Sequence, residues 1–187
     1  MPREITRADY EAVFKVYADK AVKRFNMTRN HPPQLFTVKL GPGTGEIAAS
    51  GSLNKLAPMF HNGTMHKDQL RFLLQELTTP GSQVRRAAGA LGVVVPDIVV
   101  QINEMWFVTR DAKSKQEAKA LGDLTPSEQP DRRECVGIAL HSHLFSTMGV
   151  NEIFDKPKRH AVLGELLPDD GGTFVGRLSM TIDDEML

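Results

Sequence analysis

The chain has little cysteine and little tryptophan: one of each, Cys135 and Trp106. A lone cysteine excludes an internal disulfide, and its place in an apolar run predicts a buried, inert thiol. No apolar run approaches the roughly 18 residues of a membrane span, and the first residues, Met1-Pro2-Arg3-Glu4, form no apolar signal core. A cytoplasmic protein without membrane partners is therefore expected. Neither sign of charge is in excess, since 23 Lys and Arg balance 23 Asp and Glu. That balance argues against a nucleic-acid binder, which draws on a basic surplus to neutralise phosphates. It also removes the repulsion that keeps copies apart, so a homo-oligomer stays open. Two catalytic signatures are missing as well. There is no Gly-x-Ser-x-Gly elbow of a serine hydrolase. The glycines of Gly41-Pro42-Gly43-Thr44-Gly45 lack the Lys-Ser/Thr pair and the following helix of a phosphate loop.

What is present suits an ordinary globular fold: 187 residues, 41% hydrophobic, are enough to bury one core. Thr6 and Asp9 read as a helix start. Tyr10, Val13, Phe14, Tyr17, Ala21 and Phe25 then recur every three or four residues, which predicts an amphipathic helix to about Asn26 with its aromatic stripe facing the core. Alternation predicts two strands, Leu35 to Leu40 and Glu46 to Leu53, joined by the glycine turn. A second helix is expected from Thr64, with Leu70, Leu73, Leu74 and Leu77 on one face, and a short Ala-rich helix from Ser82 to about Leu91 capped by Gly92. The longest strand should run from about Ile98 to Thr109. Further strands are expected at Glu134 to His143, Arg159 to Leu167 and Thr173 to Met180. The polar stretch 111–133, with two prolines and no sustained period, reads as a long loop of functional or mobile character. The pattern predicts a single α+β domain, mainly an antiparallel sheet with an N-terminal and a central helix packed on it.

Three clusters could carry chemistry. In the long strand, period two places Glu104 on the same face as Val100, Ile102, Trp106 and Val108. A carboxylate on an apolar face needs a partner or a proton. The expected partner is a structural ion pair with Arg132, with Arg133 as the alternative. A general acid or base at Glu104 remains the functional rival. The stretch Asn103-Glu104-Met105-Trp106, followed by Pro126-Ser127-Glu128 and Pro130-Asp131-Arg132, resembles a loose family of small uncharacterised phage and bacterial proteins. Their form reads Ser-Glu-Ala-Trp, then Pro-Ser-x-x-Pro-Asp-Arg. The likeness spans about residues 60 to 140 and departs from the pattern at Asn103 and Met105. It implies a phage or mobile-element origin and a sheet architecture, and assigns no catalytic role.

The second cluster is His141-Ser142-His143, with Asp155 downstream. Two histidines one apart on a strand project to the same side, and an acid could complete a zinc site. The arrangement is similar to that of zinc isopeptidases, with Glu104 upstream. Yet Leu144 stands where that family has proline, Asn151 at its serine, and Phe154 at its aspartate with Asp155 one place late. The alternative is a pair on an edge strand near solvent. The third cluster, Lys156, Lys158 and Arg159, is a short basic stretch suited to phosphates or acidic partners, or to plain solvation. The reading that follows is a non-enzymatic accessory or interaction protein with no cofactor, acting on a protein partner. A small metal-dependent hydrolase using His141, His143 and Glu104 is the alternative, and a nucleic-acid binder a weaker one.

Overall fold

A computed structural model describes residues 4–53, 67–107, 133–144 and 146–167. It shows an α+β arrangement of three helices and six antiparallel strands. In chain order these are α1 (Arg7–Thr28), β1 (Gln34–Leu40), β2 (Ile47–Ser52), α2 (Lys67–Thr78), α3 (Gln83–Ala90), β3 (Ile98–Phe107), β4 (Arg133–His141), β5 (Ser146–Phe154) and β6 (His160–Ala161). The strands lie in the order β2-β1-β3-β4-β5-β6. β1 therefore sits between its hairpin partner β2 and β3, and the connection from β2 to β3 carries α2 and α3.

The two faces of the sheet are covered by different helices. Ile98, Val100 and Ile102 of β3, Val38 and Leu40 of β1, and Val136, Ile138 and Leu140 of β4 pack with Tyr10, Val13, Phe14, Tyr17 and Phe25 of α1. Strand alternation turns Leu35 and Val99 the other way, where they meet Leu74 and Leu77 of α2 and the flank of α3. The aromatic stripe of α1 is thus a core face, as its spacing predicts. Burying each of these large side chains is worth about 1.5–3 kcal/mol relative to exposure. Phe14 lies over Gly149 of β5, where a Cβ would stand 2.2 Å from the ring, so the helix sits this close only because that position has no side chain.

The entry to α1 is held by Asp9, which is wholly buried. Its carboxylate accepts from the Thr6 backbone N–H and hydroxyl, both at 2.8 Å, and from the Gly45 N–H at 2.7 Å. The helix cap and the β1–β2 turn are thereby one hydrogen-bonded unit. Gly45 has φ 72°, a left-handed conformation suited to glycine. At the far end Arg29 closes α1 with φ 61°. α3 is capped by the Ser82 hydroxyl, which accepts from Arg85 N–H at 3.0 Å, and Gly92 follows with φ 77°.

The structure departs from the sequence reading beyond β4. β5 falls where alternation gave no strand, because its polar residues are buried and satisfied. Asn151 is fully buried; its amide donates to Val136 O and accepts from Gly164 N–H, both at 3.0 Å. The strand expected over Arg159 to Leu167 shrinks to His160–Ala161 and an isolated bridge between Gly149 and Leu166. The expected strand Thr173 to Met180 and nearly all of the expected loop 111–133 lie outside the described residues. No helix among the described residues is long and apolar enough to cross a membrane.

Candidate functional site

Glu104 sits where the apolar cover of β3 runs out. It follows Val100 and Ile102 on the α1 face, and beyond them the C-terminal end of α1 and the turn into β1 close over the sheet. The His31 backbone N–H donates to one Glu104 oxygen. The Arg159 guanidinium stands 3.5 Å from the other. The same guanidinium pairs with Glu134, donates to Arg29 O at 2.7 Å and lies 4.9 Å from the centre of the Phe25 ring. One arginine from the segment before β6 thus bridges two strands and the end of α1.

Burial pushes the Glu104 carboxyl above its usual range, and Glu134 adds to this, while the His31 N–H and Arg159 oppose it. Burial wins. His31 is buried to 1% exposure, burial lowers its pKa, and its Nδ1 lies 3.1 Å from Pro32 O. A carboxyl with a raised pKa is what a general acid needs, but both of these oxygens already hold protein donors. The arrangement braces the fold.

The expected pairing with Arg132 lies outside the described residues. Arg133, the alternative, points to the opposite face and meets Glu152 at 3.0 Å. Cys135, on that same face, is completely buried; burial raises its pKa well above the thiol's usual value, with Glu134 and Glu152 contributing, so its thiolate is suppressed.

The His141 pair is not on an edge: β4 runs between β3 and β5. His141 is buried, its Nδ1 2.9 Å from Ser146 Oγ and its Nε2 3.4 Å from Gln101 Oε1. The strand ends at His141, so the period-two relation to His143 stops there; His143 and Asp155 are exposed. Among the described residues no three His, Cys, Asp or Glu side chains converge as metal ligands. Ser142, between the histidines, is buried and bonds Tyr10 OH at 2.6 Å. In the basic cluster, Lys156 and Lys158 are exposed, whereas Arg159 turns inward to the carboxylates.

The edges of the sheet, which the sequence reading did not single out, differ sharply. Along β5, residues 160–167 occupy the outer side. Ala161 and His160 pair with Ile153 and Phe154, Val162 N–H donates to Glu152 O and Leu167 N–H to Met148 O, both at 2.9 Å. Gly164 fits because a Cβ would stand 1.9 Å from Val150 O. Along β2 the position is different: among the described residues no strand lies on its outer side. The Leu53 N–H donates inward to Leu35 O at 2.8 Å, so alternation turns Gly51 and Ala49 inward too and directs the backbone groups of Ser50 outward. Ala48, Ala49 and Ser50 are exposed, and the strand Ile-Ala-Ala-Ser-Gly-Ser holds neither charge nor proline. It is also anchored. Tyr17 OH meets Ser50 Oγ at 2.6 Å, and Gly45 N–H is held by Asp9.

Searches against protein-family models, curated proteins and solved structures return no match to this chain.

Proposed function

We propose that this is a non-enzymatic interaction protein that engages its partner by strand addition at the outer edge of β2. The observation that supports the reading is the contrast between the two edges. Residues 160–167 follow β5, whereas β2 is uncharged and largely exposed, is held at Ser50 by Tyr17, and has no described strand on its outer side. Proteins commonly blunt an open edge with lysine, proline or a covering segment, because its N–H and C=O groups template pairing. An uncharged strand whose outward backbone groups at Ser50 are held in place suits strand addition. A register shift opposite Lys39 and Leu40 restricts pairing to the stretch from Ala48 onwards. The phage or mobile-element origin and the cytoplasmic location expected from the sequence belong to this same proposal.

Ser50→Pro tests it. The Ser50 N–H points outward, so proline removes no bond to β1 but blocks the added strand. Complexes recovered with the tagged chain from its own host should lose their partner on Ser50→Pro and keep it on the double change Lys156→Glu, Lys158→Glu. The reverse result would move the interaction to the basic loop and refute the edge reading.

A further inference from the structure

Going beyond the strand-addition reading and independent of it, we infer that Ser146 is an acyl-acceptor site. Its hydroxyl, with His141 as base and Gln101 behind the ring, takes a single acyl group from an activated carrier of the thioester class. The register brings the three side chains together. His141 lies opposite Val99 of β3 and Ser146 of β5, and Gln101 stands two residues beyond Val99 on the same face. Ser146 Oγ is 2.9 Å from His141 Nδ1, within the reach of a nucleophile and its base, and His141 Nε2 is 3.4 Å from Gln101 Oε1. Among the described residues His141 is the only partner of the Ser146 hydroxyl.

The hydrogen-bond roles follow from the chemistry of the amide. An amide oxygen cannot donate, so Nε2 carries the ring hydrogen and directs it at Gln101. Nδ1 is then the acceptor, and the Ser146 O–H donates to it. This order of hydroxyl, base and orienting group is the one that activates a serine. A neutral amide fixes the ring as a carboxylate would, yet it sets no negative charge against a developing imidazolium. Slow acylation of one serine per chain follows in place of turnover, which accords with an interaction protein. His141 is buried at 5% exposure, whereas Ser146 is half-buried at the start of β5, next to the exposed His143 and Leu144. Ser146 is therefore the member of the pair that a reagent meets.

The surroundings select the electrophile. Val99, Gln101, Ala139 and Met148 flank the pair on this face of the sheet, and none is charged. A phosphoryl donor would meet no cation among them, while a neutral acyl group with an apolar chain suits them. Ser146 Oγ adds to the acyl carbonyl carbon as its proton passes to His141 Nδ1. Collapse of the tetrahedral adduct breaks the carbon–sulfur bond, and the imidazolium returns the proton to the departing thiolate. The products are an ester at Ser146, a free thiol and a neutral imidazole.

The test is incubation of the purified full-length chain with a small acetyl thioester, S-acetyl-N-acetylcysteamine, followed by peptide mass spectrometry. An acetyl ester should form on Ser146, at a rate that climbs with pH as His141 gives up its proton. Lysine adducts, which do not depend on His141, provide the background rate. Ser146→Ala should abolish the ester, and His141→Gln should slow its formation about 100-fold or more. Gln101→Glu supplies the missing negative charge and should accelerate it, an outcome that a purely structural bond between Ser146 and His141 does not predict. That variant also decides the matter if His141→Gln fails to fold. Acetyl groups confined to lysines, a Ser146 rate indifferent to His141→Gln, or an ester formed no faster in Gln101→Glu would each overturn the inference. Thiol release continuing past one equivalent per chain would make Ser146 a hydrolytic nucleophile and overturn the acceptor role.

Discussion

Removing Arg159 should damage this fold far more than removing the negative charge of Glu104, although the two are partners. Arg159→Ala deletes the guanidinium that faces both Glu104 and Glu134, the bond to Arg29 O and the contact over Phe25. Stripping one member from a fully buried ion pair costs about 3–5 kcal/mol, because the other charge is left uncompensated. The Arg159 side chain is 33% exposed and Glu104 14%. Solvent therefore screens part of the loss, and about 2–3 kcal/mol is the expected figure. Glu104→Gln behaves differently. Its amide oxygen still accepts the His31 N–H, and the buried charge disappears; a loss of about 1 kcal/mol or less follows. Urea melts of the two single variants and the double variant close the cycle. In the Glu104→Gln background, Arg159→Ala should cost about 1 kcal/mol less than in the wild type, with Glu134 still uncompensated. A Glu104→Gln loss exceeding that of Arg159→Ala, or strict additivity, would show that Arg159 does not act as the shared counter-charge. Acid titration adds a sign. The folded Glu104 binds its proton more tightly than the unfolded one, so its contribution is full below about pH 4.5 and is lost as pH rises through the folded value. Glu104→Gln should consequently look less harmful at pH 7 than at pH 4.

The other expectations follow from single contacts. Phe14→Ala should cost about 3–5 kcal/mol in chemical denaturation, since the ring is 4% exposed within the core, and a loss below about 1 kcal/mol would place it outside the packed interior. Gly149→Ala should destabilise by about 1–3 kcal/mol or more through the clash with that ring, and part of the loss should return on combination with Phe14→Leu. His31 has the opposite linkage to Glu104: burial lowers its pKa, so its contribution is present above about pH 6.5 and is lost as pH falls through the folded value. The melting temperature of the wild type should accordingly fall between pH 7 and pH 5 more than that of His31→Gln, and equal slopes would rule His31 out. Tyr10→Phe should lose about 1 kcal/mol, because Ser142 Oγ keeps its bond from Leu144 N–H, and an unchanged melt would show the hydroxyl pair to be idle.

The helices and first strands were readable because their signal is a simple one. The α1 stripe, the cap at Thr6 and Asp9, the leucine face of α2 and the alternation of β1 and β3 all follow from apolar residues at one of two periods. The face of Glu104 was readable on the same ground. β5 was not, because Thr147, Asn151 and Gly149 sit on its α1-facing side, where alternation expects branched aliphatics. Their burial is made affordable by hydrogen bonds to Ser146–Phe154's neighbours, above all those of Asn151, and by the glycine that admits Phe14. Such partners are distant in sequence and leave no periodic trace. Arg159 was missed as the counter-charge of Glu104 for a related reason: the separation is 55 positions, and it read as part of an exposed basic run with Lys156 and Lys158.

The β2 edge shows where sequence patterning gives the least warning. An exposed strand of alanine, serine and glycine carries almost no hydrophobic signal, so it looks like the least consequential element of the fold. Its importance arises from what surrounds it. Asp9 is the N-terminal carboxylate of α1 and also the acceptor for Gly45, and Tyr17 is a core aromatic whose hydroxyl reaches Ser50. Two residues that build the helix–sheet core therefore also set the position of the edge. Loosening either should weaken the proposed strand addition at β2 while leaving its backbone groups intact. Asp9→Ala, which would leave the Gly45 N–H and the Thr6 cap without their acceptor, combines both effects: about 1–3 kcal/mol of fold stability and weaker strand addition at the proposed edge. Tyr17→Phe keeps the ring on Phe36, 5.1 Å centre to centre, and removes only the hydroxyl. It should leave the melting temperature within a few degrees of the wild type, at about 1 kcal/mol or less, while the proposed strand addition at β2 weakens. Recovery of complexes with tagged Tyr17→Phe from its own host reads this directly, and a partner retained as in the wild type would mean that the strand needs no anchor to pair.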